Sequence, residues 1–152
     1  TYGGDFEGTA KRWCENFKRL DANTQKRVTV ENDDKGSMWS TKHLFDYIHS
    51  DIGIPIVFDY HHYNFCTGGQ TEQEALELAM STWPDGVTPV VHYSQSRAEE
   101  HNDPKIRPQA HSDSYWAAPN LYGHDLYVMC ECKFKEQGVF ALLELMKNKA
   151  VA

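Results

Sequence analysis

Four side chains able to hold a metal ion or move a proton stand at the ends of apolar, β-branched runs. Glu31 closes the run 27–31, Asp59 closes 55–59, His92 lies near the end of 89–93, and Glu131 near the end of 126–132. Side chains alternate along a strand, so Glu31 shares a face with Thr29, Asp59 with Val57, His92 with Val90 and Glu131 with Met129. If that face lines the inside of a barrel, the four meet at its mouth. His62, three residues past Asp59, and His111, in His111-Ser112-Asp113 at the end of a long polar segment, extend the set to six. Carboxylate oxygen mixed with imidazole nitrogen suits manganese, zinc or iron(II), and the lack of thiolate at these positions disfavours a structural zinc site. Several hard ligands together suggest more than one ion. Divalent ions spaced for phosphate can activate a water, neutralise phosphoryl oxygens and stabilise a leaving oxygen.

The charge balance narrows the partners. With 15 Lys and Arg against 22 Asp and Glu, the 152-residue chain carries a net charge of −7, which argues against gripping a polyanion through bulk charge. Any nucleic-acid role is then local, with bound ions supplying the positive charge. Within the polar segment, Arg97, Lys105 and Arg107 are the residues that could meet phosphates, although a solvated loop is the simpler account of them. No run approaches the roughly 18 apolar residues of a membrane span. Of the eight histidines, His43, His49 and His124 are expected on helix or loop surfaces, and His61 at best beside the ligands. Cys14, Cys66, Cys130 and Cys132 lack zinc-knuckle spacing, and the last two flank Glu131 and so face away from it. They read as reduced thiols in a cytoplasmic protein. The start at Thr1-Tyr2-Gly3-Gly4, without Met, suggests an incomplete chain.

The elements that must position these residues follow from periodicity. Ala10, Trp13, Phe17 and Leu20 mark a helix through about Asp21, and Ser40 caps a helix bearing Leu44, Tyr47 and Ile48 that stops near Gly53. Thr71 and Glu74 form a capping box ahead of Leu76, Ala79, Met80 and Trp83. A helix is expected over 115–121, and a last one with Val139, Leu142, Leu143 and Met146 in register; Trp13, Trp83 and Phe140 read as core. Strands alternating with helices imply an α/β fold with a parallel sheet, all strand C-termini lying on one rim where ligands bind. Four βα units in one domain, 1–152, are half of a (βα)8 TIM barrel. The two bare sheet edges predict a homo-oligomer, or an N-terminal half that is missing.

The segments Val30-Glu31-Asn32-Asp33-Asp34, Phe58-Asp59-Tyr60-His61-His62, His92-Tyr93-Ser94, His111-Ser112-Asp113-Ser114-Tyr115 and Glu131-Cys132-Lys133, in this order, resemble the UV damage endonucleases. The resemblance covers nearly the whole chain but only the C-terminal half of the family's barrel, and Tyr2-Gly3-Gly4 looks like the turn after its fourth strand. It implies a xylose-isomerase-like barrel that cuts double-stranded DNA 5′ to a UV photolesion using divalent ions, manganese first, with zinc or magnesium as the other choices. It also implies metal ligands at Glu31, Asp59, His62, His92, His111 and Glu131, with Glu31, His92 and Glu131 catalytic, and substrate or supporting contacts from Asn32, Ser94 and Lys133. One position departs from the family: Val90 stands where it usually has a modified lysine. Two further readings stay open on the residues alone, a sugar isomerase or epimerase of the same barrel superfamily and a non-catalytic metal-binding half-barrel that dimerises.

Overall fold

The computed structural model describes residues 4–151, so Tyr2 and Gly3 of the expected opening turn lie outside the described residues. Asp5 caps the first helix, α1 (Phe6–Phe17), by accepting from Gly8 N at 2.9 Å, and Ala10, Cys14 and Phe17 form its buried face. The helix does not continue to Asp21. Asp21 instead accepts from the amides of Asn23 and Thr24 and starts a separate turn, α2 (Ala22–Gln25), leaving Leu20 exposed. That turn takes up Arg27 N through Thr24 O, so β1 is confined to Val30–Glu31 rather than 27–31.

Ser40 and His43 form a reciprocal capping box at the start of α3 (Thr41–Leu44). The helix widens into a π-helical turn (Phe45–His49), resumes as α4 (Ser50–Ile52) and ends at Gly53 in the left-handed region, φ 67°. Strand β2 (Ile56–Asp59) leads directly into α5 (Tyr60–Tyr63), and α6 (Glu72–Met80) carries the expected Thr71–Glu74 capping box. Trp83 lies past the end of α6 and donates its indole N–H to Ile56 O at 2.8 Å. Then come β3 (Val90–Tyr93), α7 (Arg97–Glu100), β4 (Tyr127–Cys130) and α8 (Glu136–Val151).

The expected helix over 115–121 does not form. Side chains from the strand side occupy this segment's backbone: Tyr93 Oη donates to Ala117 O and Tyr60 Oη to Asn120 O, both at 2.8 Å, while Trp116 N donates to Gln95 Oε1 at 3.0 Å. Groups committed to long-range partners cannot also complete a helical ladder.

All four strands pair in parallel, in the order β1-β2-β3-β4. Glu31 stands opposite Val57, Asp59 opposite His92, and His92 opposite Met129. Asp59 is therefore two residues beyond Glu31's partner, and Glu131 two beyond His92's, which is the sense of stagger that tilted barrel strands require. The sheet and its helices form the α/β half-barrel. Trp39, Ile48, Ile54, Ile56, Phe58, Leu76 and Val91 fill the space between sheet and helices. Phe140 is not core: it projects from α8 and is 66% exposed, because the buried face of that helix is set by Leu142.

Candidate metal centre

Glu31, Asp59, His62, His92, His111 and Glu131 converge at the C-terminal rim in one run of contacts. Glu31 Oε1 lies 3.1 Å from His62 Nδ1 and its Oε2 lies 3.3 Å from His92 Nδ1. His62 Nδ1 is also 4.0 Å from Asp59 Oδ2. Glu131 bridges the other side, Oε1 at 3.5 Å from His92 Nδ1 and Oε2 at 3.5 Å from His111 Nδ1. Among the described residues, Glu31, Asp59 and His92 each bring one ligand atom within 4.8 Å of the others.

Local structure fixes each group. Asp59 ends β2 and caps α5, its Oδ1 accepting from His62 N at 2.8 Å. Asn32, fully buried just after β1, replaces a rung of the sheet ladder: its side chain donates to Asp59 O at 3.0 Å and accepts from Asp59 N at 2.8 Å. His62 donates from Nδ1 to Asn32 O at 2.9 Å, and His111 donates from Nδ1 to Glu131 O at 3.0 Å. A backbone carbonyl on Nδ1 leaves Nε2 as the nitrogen able to ligate, the arrangement that orients metal-binding histidines. His111 itself is held by an antiparallel bridge to Ser96, and Ser112 ties this loop to both neighbouring strand ends through Gln95 O and Lys133 N.

The electrostatics are those of a crowded anionic site sharing protons. Burial pushes the Asp59 carboxyl up to about 6, against the pull of His62. Burial also opposes ionisation of Glu31, but hydrogen bonds from His62 and His92 outweigh it and bring it down to about 2. His62 moves up to about 9, Glu31 and Asp59 overcoming its desolvation, and His92 rises chiefly through its bond to Glu31. Asp59 Oδ2 remains buried without a hydrogen-bond partner, and His92 Nδ1 sits between Glu31 and Glu131 at 3.3 and 3.5 Å. Three carboxylates, three imidazoles and a buried carboxylate oxygen without a partner fit a divalent cation site.

The remaining sequence candidates lie around this centre. Ser94 is buried with its Oγ unpartnered, Lys133 is exposed, and Arg97 Nε sits 3.2 Å from Asp113 Oδ1. Lys105 and Arg107 are exposed on the loop. A second acidic-histidine group, Glu100, His101 and Asp113, escaped the sequence reading because nothing in its spacing marks it. Its chemistry is a loop clasp: Glu100 accepts from the amides of Asp113 and Ser114, and Asp113 Oδ2 meets His101 Nε2 at 2.7 Å beside the Arg97 cation.

Comparison with known proteins follows the same outline. The profile of the family UV-endonuclease UvdE matches residues 1–152. A UV-damage endonuclease of Schizosaccharomyces pombe is 34% identical over 149 residues, 92% of this chain and 24% of that protein. A UV DNA damage endonuclease of Bacillus cereus strain G9842 is 33% identical over 150 residues, 93% of this chain and 44% of that protein. The crystal structure of SacUVDE superposes with a TM-score of 0.80 at 27% identity, covering 99% of this chain and 50% of that one. The chain thus spans half or less of the relatives it matches, and its four strands correspond to half of the SacUVDE barrel. Matched along its whole length, it belongs to the UV-endonuclease UvdE family.

Proposed function

We propose that this chain is the metal-binding half of a DNA repair endonuclease that cuts the backbone of double-stranded DNA 5′ to UV photolesions. The observation that carries the reading is the convergence of Glu31, Asp59, His62, His92, His111 and Glu131 through contacts of 4.0 Å or less on one rim. Manganese is the ion best matched to this oxygen-rich donor set, ahead of zinc or magnesium. Bound divalent ions supply the water activation and phosphoryl charge neutralisation that a chain of net charge −7 otherwise lacks.

Glu31, His92 and Glu131 are assigned the catalytic positions: His92 Nδ1 faces both carboxylates and can hold a proton between them. Asp59 and the Nε2 atoms of His62 and His111 complete the ligand set. Lys133, Arg107 and the outer edge of Arg97 offer cations to the DNA backbone. The open sheet edges support completion of the barrel by four more strands, from an N-terminal half or from a second copy of this chain. The family's DNA chemistry and four free cysteines support a cytoplasmic place; among the described residues, no helix is long and apolar enough to cross a membrane.

Elemental analysis of the purified chain against Glu31→Ala is the direct test. Bound manganese lost in the variant, with the circular dichroism spectrum kept, is the expected result; equal metal content in both sinks the assigned centre. Nicking of irradiated plasmid by the chain supplied with an N-terminal half then reads the endonuclease activity.

A further inference from the structure

A cleft of about 590 Å³ opens beside the metal centre, lined by Tyr60, Tyr93, Trp116, Gln95, Asn120 and Glu99 among others. Its size is that of small-ligand sites, roughly 300–1,000 Å³. Tyr93 follows His92 along β3 and so faces the other side of the sheet, while Tyr60 opens α5 directly after Asp59. Among the described residues, none of the six of the metal centre lines the cleft, yet it lies close to them: the rings of His61, which lines it, and His111 are 5.6 Å apart.

The wall chemistry selects a class of occupant. Among the described residues no lysine or arginine lines the cleft, and Glu72 and Glu99 do, which disfavours a phosphate or any other anion. Trp116 is exposed at 44% and offers a flat apolar face. Gln95 Oε1 accepts from Trp116 N and Asn120 Oδ1 from Tyr122 N, so both amide groups are oriented by their oxygens and keep their NH2 donors for another partner. Two further lining residues, His61 and Ser94, are 2% and 3% exposed and each keeps a buried polar atom, Nε2 and Oγ, without a hydrogen-bond partner. A planar apolar body with donors and acceptors on its edge, and no negative charge, meets all of these walls at once.

We propose that this cleft receives one unpaired nucleobase carrying an exocyclic amine with no ring N–H beside it, cytosine or adenine, stacked on Trp116 and giving its amino hydrogens to Glu99. The Gln95 and Asn120 amides then meet the ring acceptors. Carboxylates accept from such amines, whereas thymine presents carbonyl oxygens there and no amine. That the base belongs to a DNA strand rests on the endonuclease reading; that the cleft binds it does not.

Titration of the EDTA-treated chain with 2′-deoxycytidine, 2′-deoxyadenosine, thymidine and glucose, followed through the NMR signals of the Trp116 indole and the Gln95 and Asn120 side-chain amides, tests the cleft without metal or cleavage. The two amino-bearing nucleosides are expected to saturate these signals, with thymidine about tenfold weaker and glucose silent. Trp116→Ala is expected to weaken binding about tenfold, and Glu99→Gln to erase the preference over thymidine; both residues are exposed, so both variants keep the fold. No saturation by any nucleoside, equal affinity for thymidine in the unsubstituted chain, or preference for glucose overturns the proposal. None of these outcomes bears on the metal content of the Glu31→Ala pair, so the two readings fail separately.

Discussion

Strands β2 and β4 are four residues each in the same parallel sheet, yet every residue of β2 is buried, while Tyr127 and Met129 of β4 are 66% and 51% exposed. The difference is one of neighbours. β2 pairs on both edges and has α6 behind it, whereas among the described residues β4 pairs only with β3, and Tyr127 and Met129 on its inner face stay largely open. The candidate metal centre straddles the two regimes: the Asp59 side chain is wholly buried and that of Glu131 is 30% exposed. One flank of the candidate site is thus fixed by packing, and the other lies open.

The largest expected effect lies on the finished flank. Phe58→Ala empties a fully buried site of β2 and is expected to cost about 3–5 kcal/mol in urea unfolding. Met129→Ala is expected to stay within about 0.5 kcal/mol, as surface changes do. Similar losses in both variants would dissolve the contrast between the strands.

Asn32→Ala comes next, because it strands the buried N–H and C=O of Asp59 together. A loss of about 2–3 kcal/mol is expected for two unsatisfied groups, with a 10–100-fold drop in cation affinity because the ligand carboxylate and the His62 ring lose their support. Asn32→Asp keeps the acceptor for Asp59 N but not the donor, and belongs between the two. Cation affinity unchanged in Asn32→Ala would show that Asp59 is placed by β2 alone.

These two cases also show what the amino-acid sequence makes legible. The alternation around Asp59 and His92 is local, and strand ends with inward acids can be read from it. The capping boxes at Ser40 and Thr71 are local too, although His43 rather than an acid completes the first. Asn32 reads only as a polar residue after a strand; its two bonds reach across 27 positions to Asp59, and nothing nearby announces them. The absent helix at 115–121 fails for the same reason, since Tyr60 and Tyr93 claim its carbonyls from far away in sequence. The cleft at Trp116 was unreadable because its walls come from four separate segments.

A smaller effect separates proton from metal at the centre. In the metal-free chain His62 is raised from 6.5 to about 9, so its contribution to stability is fully present below about pH 6.5 and is lost as the pH rises through about 9. Glu31 is lowered from 4.5 to about 2, so its contribution is present above about pH 4.5 and is lost on further acidification. Buried Asp59, raised from 3.8 to about 6, adds stability only below that range and loses it as it ionises. The urea midpoint of the EDTA-treated chain is therefore expected to be higher near pH 5.5 than near pH 8.5, and His62→Gln to flatten that difference. Manganese should act in the opposite sense: it competes with the His62 proton, so its affinity rises over the same interval. A metal-free midpoint that climbs toward alkaline pH would contradict the shared-proton description.

The smallest effect on folding carries the sharpest information about the open flank. Tyr127→Lys places a charge on an exposed edge-strand residue, and its unfolding midpoint is expected to match the unsubstituted chain. Association should nevertheless respond, because Tyr127 and Met129 face the side on which a barrel interior has to close, and an inward lysine there blocks strand addition. If a second copy supplies the cover, light scattering at micromolar concentration gives twice the chain mass for the unsubstituted protein and the single mass for Tyr127→Lys. If an N-terminal half supplies it, the chain alone is monomeric, and the variant fails instead to retain that half when the two are mixed. Indifference of both measurements to the lysine would mean that β4 is a true outer edge, and that Glu131 works at the border of the site with solvent as its permanent neighbour.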